Sequence, residues 1–112
     1  MQKSEIWWAN LREPIGSEPG YWHPVLIVSS DALNLSRVQT LIVVCLTTNH
    51  SRVGEPNQIV VSAESTGLER DSVINVTQIA TIDKSMVSEF IGELDDDAMK
   101  VVETELRRVM LL

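Results

Sequence analysis

Short apolar runs of strand type, with two-residue alternation clearest at residues 72–83, fill the chain to residue 83, and the period of a helix follows near the end. Residues 5–11, Glu-Ile-Trp-Trp-Ala-Asn-Leu, carry aromatic and branched side chains between charged neighbours and predict a first strand. Residues 12–21 form a long connection punctuated by Gly16, Pro19 and Gly20. Pro24 fixes the entry into a second strand over 25–30, and Asp31 is placed to cap a turn or single helical turn over 31–36. Residues 39–48 are the most apolar stretch, dominated by Val, Ile and Leu, and predict a central strand buried on both faces. An exposed loop over 49–57 leads to a fourth strand over 58–63, and a turn centred on Gly67 follows. Residues 72–83 alternate Val or Ile with polar residues and are long enough to bend or to act as two short strands. A short strand is expected at 89–94.

The period then changes. Asp95, Asp96 and Asp97 supply a cap and negative charge for a helix N-terminus, and Arg107 and Arg108 complement the dipole at the other end. Met99, Val102, Leu106, Val109 and Met110 fall on one face, so an amphipathic helix closes the chain. The expected architecture is mainly β with helices: a small, strongly bent antiparallel sheet or barrel, one domain over residues 1–112.

Charge and composition narrow the function. The formal net charge of −7 argues against indiscriminate binding to nucleic acid. The deficit lies mostly after residue 56, which leaves room for a local anion site in the nearly neutral first half. No apolar run approaches the ~20 residues of a membrane span, and the N-terminus lacks the apolar core of a signal peptide, so a cytoplasmic protein without a membrane partner is expected. Cys45, the single cysteine, sits in an apolar run and reads as a small core residue. His23 and His50 are the only histidines and neither belongs to a cluster with ligand spacing, so no metal and no cofactor are expected. Nucleophile-elbow, Walker and dinucleotide-binding motifs are absent.

What remains is a set of groups at loops and strand ends. Ser17, Glu18 and His23 surround the first connection, Thr47 and Thr48 lie where the third strand surfaces, and Ser72, Asn75 and Gln78 occupy polar positions of the later strand. Histidine exchanges protons near neutral pH, and hydroxyls and amides hold phosphate oxygens without a basic patch. Each also has a plainer reading: His23 as a histidine capping a strand, Thr47 as ordinary strand-edge preference, and Trp7, Trp8 and Trp22 as core or dimer-interface aromatics.

Ordered motifs separate these readings. Ile6-Trp-Trp-Ala-Asn-Leu11, Gly16-Ser-Glu18, Pro24-Val-Leu-Ile-Val28, Asn34, Leu46-Thr47, Gly67-Leu-Glu-Arg-Asp-Ser-Val-Ile74, Gln78-Ile79 and Thr81-Ile-Asp-Lys84 together resemble the MazF/PemK (Kid) toxins of bacterial toxin–antitoxin pairs. The resemblance implies an SH3-like barrel of the CcdB/MazF/Kid type with a C-terminal helix, a homodimer, and a MazE-like antitoxin as partner. It also implies a metal-independent endoribonuclease that cuts single-stranded RNA at short motifs, leaving a 2′,3′-cyclic phosphate and a 5′-hydroxyl. Thr47 matches the catalytic threonine of the family. Glu18, Asn34, Ser72 and Gln78 match RNA-contacting positions, with Ser17, Trp22 and Thr48 beside them.

Two departures stand out. The family usually places arginine directly before this proline or one residue earlier, where this chain has His23 and Trp22, and Ala80 replaces the arginine that commonly follows Gln-Ile. An arginine offers permanent charge and a planar fork, whereas neutral histidine offers one donor and one acceptor. His23 is therefore expected to act as general acid or base, with Arg37 or Arg52 as possible sources of the missing charge. The alternative is a catalytically weakened barrel that binds antitoxin or RNA. Gyrase binding of the CcdB kind is disfavoured, since the chain ends Arg108-Val-Met-Leu-Leu112 without a tryptophan.

Overall fold

The computed structural model describes residues 1–11, 16, 21–49 and 57–112. Six strands, β1 (Glu5–Leu11), β2 (Tyr21–Ile27), β3 (Thr40–Thr47), β4 (Gln58–Val61), β5 (Ser72–Asp83) and β6 (Val87–Glu93), form one antiparallel sheet in the order β4-β5-β3-β2-β1-β6. Short helices α1 (Asp31–Asn34) and α2 (Ala63–Thr66) interrupt it, and α3 (Asp96–Met110) closes it.

The central strand is the expected one. β3 buries Val43, Val44, Cys45 and Leu46 in succession, because its two faces look into two different apolar clusters. Val44 and Leu46 join Ile6, Leu26, Ile74, Val76, Met99 and Val102 on the side covered by α3. Leu41, Val43 and Cys45 join Ala9, Leu11, Val25, Ile27, Ile82 and Val87 on the other. A sheet with apolar cores on both faces must curl or be covered, and this one does both.

The curl has two visible causes. Val44 pairs with Ile79 but the next residue, Cys45, pairs with Asn75, so residues 76–78 of β5 stand outside the β3 ladder and the long strand bends there. At the sheet's ends, α2 follows edge strand β4 and packs on the opposite edge strand, β6. A Cβ on Gly92 would sit 2.3 Å from the Thr66 carbonyl oxygen, and one on Gly67 would sit 2.5 Å from that of Ile91. Only two glycines permit this approach, and Gly67 also takes φ 87° to end α2. The result is a mainly-β, barrel-like fold with a C-terminal helix.

Several local expectations are adjusted. β2 begins at Tyr21, four residues before the expected start, so His23 and Pro24 lie inside a strand instead of at its mouth. The proline is tolerated because β3 pairs with β2 only from Val25 on, which leaves Pro24 bordered by β1 alone. Ser30, not Asp31, caps α1, accepting from the Leu33 N–H. Asp31 instead accepts from the Lys3 N–H and the Asn34 side chain. Residues 63–66 are helical where a turn was expected, and the last strand starts at Val87. Asp95 caps α3 as anticipated, with Met99 and Val102 buried, but Met110 is half exposed in the last turn, which Leu111 closes in the left-handed conformation. The loop expected at 49–57 lies, from residue 50 to 56, outside the described residues.

Candidate active site and the adjoining groove

The catalytic candidates meet where β2 and β3 part. The β2–β3 ladder runs Ile27 to Val43, Leu26 to Val44 and Val25 to Cys45, then stops at the proline. Continuing that register past Pro24 sets His23 opposite Thr47. Alternation puts both on one face: His23 shares the face of Val25 and Ile27, and Thr47 that of Val43 and Cys45. Both are half-buried. The β2–β3 ladder thus ends just before the proline, and the unpaired strand ends beyond it form a notch with the imidazole on one strand and the hydroxyl on the other.

Thr47 is fixed from two sides. Its backbone pairs with Val73 of β5, and its Oγ1 accepts from the Asn49 backbone N–H at 3.1 Å. That bond spends a lone pair and leaves the hydroxyl proton to donate.

Trp22, the chain neighbour of His23, points by alternation to the opposite face, and Thr48 lies in the bend just after β3. Trp22 is 56% exposed and shares a concavity of about 360 Å³ with Trp8, Ser88 and Glu89. Thr48 lines an adjoining groove of about 520 Å³ with Trp8, Leu68, Glu69, Arg70, Glu89, Phe90 and Ile91. Trp8 and Glu89 belong to both, so the two concavities are continuous. Their walls follow from strand register: Trp8 pairs with Pro24 on β2 and with Glu89 on β6, while Trp22 pairs with Asn10, diagonal to Trp8. Phe90 is held edge-on to Trp7, with ring centroids 5.6 Å apart and planes at 78°. The Gly67–Gly92 approach fixes the wall carrying Leu68 to Arg70 against β6.

Other expected contacts lie elsewhere. Asn34 is 3% exposed: its amide donates to the Ser29 carbonyl at 2.9 Å and to Asp31, and its carbonyl accepts from the Ser29 hydroxyl. Ser72 is fully buried, its hydroxyl donating to the Arg70 carbonyl at 3.2 Å. Neither side chain is presented to a ligand in this conformation; an amide or hydroxyl in a short turn is consumed by its own backbone. Gln78 is half-buried in the bulged stretch of β5, beside the middle of β3 and away from Thr47. Ser17, Glu18 and Arg52 lie outside the described residues. Arg37 is exposed three residues before β3, beyond the end of that strand opposite to Thr47, and the strand itself spans roughly 23 Å at ~3.3 Å per residue, too far for Arg37 to replace the missing arginine.

Trp8, Arg70, Glu89 and Phe90 were not expected site residues. Arg70 stands in the motif Gly67 to Ile74, and an exposed phenylalanine beside two glutamates in a short strand is the signal that marks β6. Cys45 takes no part: burial pushes its thiol up to about 11, so it stays protonated and apolar near neutral pH. Among the described residues no three His, Cys, Asp or Glu side chains gather as metal ligands.

A six-stranded barrel-like sheet with a histidine–threonine notch and an aromatic, acidic groove makes a small barrel domain with a candidate binding or catalytic site. The chain belongs to the PemK-like, MazF-like toxins of type II toxin–antitoxin systems, whose family model matches residues 2–110. It is 39% identical over 110 residues to Endoribonuclease MazF6 of Mycobacterium tuberculosis, covering 98% of this chain and 96% of that one. It is 35% identical over 107 residues to Endoribonuclease EndoA of Bacillus subtilis, covering 96% and 91%. A mycobacterial endoribonuclease in complex with its cognate antitoxin has the same fold, with a TM-score of 0.81 at 22% identity, over all of this chain and 96% of the other.

Proposed function

We propose that this chain is the toxin of a type II toxin–antitoxin pair: a metal-independent, sequence-specific endoribonuclease that cuts single-stranded RNA, mRNA included, in the cytoplasm. The observation that carries the reading is the register that sets His23 opposite Thr47 at the open end of β2 and β3, in a chain 39% identical to a named endoribonuclease.

The chemistry suits such a notch. The ribose 2′-oxygen attacks the adjacent phosphorus, forming the O2′–P bond as the P–O5′ bond breaks, and the proton lost from the 2′-hydroxyl is matched by one gained at the 5′-oxygen. The products are a 2′,3′-cyclic phosphate and a 5′-hydroxyl. The Thr47 hydroxyl donates to a non-bridging phosphate oxygen, its rotamer held by the Asn49 N–H. His23 moves the proton, as base toward the 2′-hydroxyl or as acid toward the 5′-oxygen. The nucleophile belongs to the substrate, so the residues need only to position, stabilise charge and transfer a proton.

Trp22, Thr48 and Gln78, with Ser17 and Glu18 on the first connection, contact the RNA, while Asn34 and Ser72 support the turns that shape the site. The working unit is a homodimer of the 1–112 domain, restrained by a MazE-like antitoxin as the mycobacterial endoribonuclease is bound by its cognate antitoxin. No described helix is long and apolar enough to cross a membrane.

The test is cleavage of a long, weakly structured RNA by purified protein in EDTA, with end analysis. Defined cuts bearing a cyclic phosphate and a 5′-hydroxyl, lost in Thr47→Ala, are expected. Folded protein that leaves a panel of RNAs intact would establish the weakened barrel in which His23 does not replace arginine.

A further inference from the structure

The geometry points to a guanine-reading subsite formed by Trp8, Trp22 and Glu89, resting on the ribonuclease reading of the adjoining notch. Three cross-strand relations build it. Glu89 lies directly opposite Trp8 in the β1–β6 ladder, Trp22 lies diagonal to Trp8 across the β1–β2 ladder, and all three line one concavity of about 360 Å³. Together with the continuous groove it has the size of a small-ligand site, which runs from ~300 to 1,000 Å³.

Its chemistry selects a base over a backbone. Glu69 and Glu89 repel phosphate, whereas exposed indole offers a stacking surface that any base accepts and purines fill best. The carboxylate then discriminates. It is acceptor-only, and guanine alone presents two adjacent donors, N1–H and N2–H, on its pairing edge. Adenine and cytosine each pair one amino donor with a neighbouring ring acceptor, and uracil flanks its single N–H with two carbonyls. A carboxylate therefore binds guanine in two parallel bonds and meets a repelling lone pair on each of the others.

Position links the subsite to the cut. Trp22 adjoins His23 along β2 and Thr48 follows Thr47 in the bend after β3, so the groove begins close to the notch. Arg70, on the same groove, makes no ion pair among the described residues and is available to the phosphate that follows the bound base. The groove's nearness to the notch, with Trp22 next to His23 and Thr48 next to Thr47, favours a nucleobase of the RNA held there over a basic peptide as occupant.

The experiment titrates intact protein with uncleavable 2′-deoxy hexanucleotides identical except for one central G, A, C or U, following tryptophan fluorescence. It runs beside mapping of cut sites in a randomised RNA pool. The G oligomer should bind about tenfold more tightly than the other three, the low end of what one bidentate contact discriminates. Glu89→Gln, which exchanges one acceptor for a donor, should remove that preference while circular dichroism shows the fold intact, and Trp22→Ala should weaken all four oligomers alike. In the cleavage arm, a G within the cut motif should become degenerate in Glu89→Gln. Equal affinities, or a G preference that survives Glu89→Gln, overturns the subsite. Quenching by an arginine-containing peptide but by no oligomer also overturns it and assigns the groove to a protein partner. Selective binding with no cleavage keeps the subsite and defeats the ribonuclease reading instead.

Discussion

At the α1 corner an amide is sealed inside the protein, and at the mouth of β1, β2 and β6 an indole stands in water. Asn34 is 3% exposed and Trp22 is 56% exposed. The difference is one of what each corner must satisfy. Ser29 and Asn34 close a turn in which buried polar atoms answer one another, so the polar side chain is the structural one. Trp22 precedes Pro24 in a stretch of β2 bordered by β1 alone, so nothing in the core claims it, and its apolar surface remains for a ligand. Residue type alone assigns these two side chains the reverse parts.

The largest effect should come at the notch between the two corners. Under the proposed mechanism Thr47→Ala removes the donor to the developing phosphorane charge, so kcat should fall about 10²- to 10³-fold with little change in KM or stability. Single-turnover kinetics on a defined substrate, with melting curves for both proteins, measure this. His23→Ala should match it and also flatten the rate–pH profile near neutrality; a wild-type profile already flat there removes His23 from proton transfer.

Next come the two corners themselves, where substitutions should dissociate stability from binding. Asn34→Ala leaves the buried Ser29 carbonyl without its side-chain donor and the Ser29 hydroxyl with only its Ile42 backbone partners, and should cost about 1–3 kcal/mol in denaturant unfolding. Trp22→Ala should change stability by no more than ~0.5 kcal/mol. Under the proposed base-reading role its effect should fall on RNA binding instead, at about 1–3 kcal/mol for one lost stacking platform. An Asn34→Ala protein as stable as the parent but poor in RNA binding would return that amide to the interface and break the contrast.

Gly92→Ala examines how the groove is held together. Its Cβ would press on the Thr66 backbone 2.3 Å away, so α2 and β6 must separate at a cost of roughly 1–3 kcal/mol. The wall bearing Leu68 to Arg70 would move with them, and loss of G discrimination should accompany the loss of stability.

Most of the architecture was legible from patterning, since period two, a doubly apolar β3 and an acid-capped helix each have one good structural solution. β1 and β5 fall where the pattern places them, and Asp95 caps α3. The strand start at Tyr21 was not legible, because a proline one residue from the β3 ladder looks like a boundary until the neighbouring strand is known to stop there. The facing of His23 and Thr47 was only half legible: the resemblance names Thr47 and marks His23 as a departure from the usual arginine, but their relative placement depends on extending the register of Val25 with Cys45. The groove was illegible because Trp8, Arg70 and Glu89 come from distant segments that meet only when two glycines let α2 touch β6.

The smallest effect is expected at Cys45, which lies two residues before Thr47 on the same face yet belongs wholly to the core. Burial raises its thiol from the ordinary 9.0 to about 11. A raised acid pKa means that the folded state disfavours the thiolate, so the stabilisation is complete below pH 9 and is lost as pH rises toward 11. Iodoacetamide should accordingly leave Cys45 unlabelled in native protein at pH 7.5 and label it fully in denaturant, read by mass spectrometry. Cys45→Ala should retain full cleavage while losing stability through the small cavity it creates. Rapid native labelling would mean that the end of β3 opens on the labelling timescale. The notch two residues further on would then be a mobile site formed on binding, whereas slow native labelling means that its β3 side is held rigid before substrate arrives.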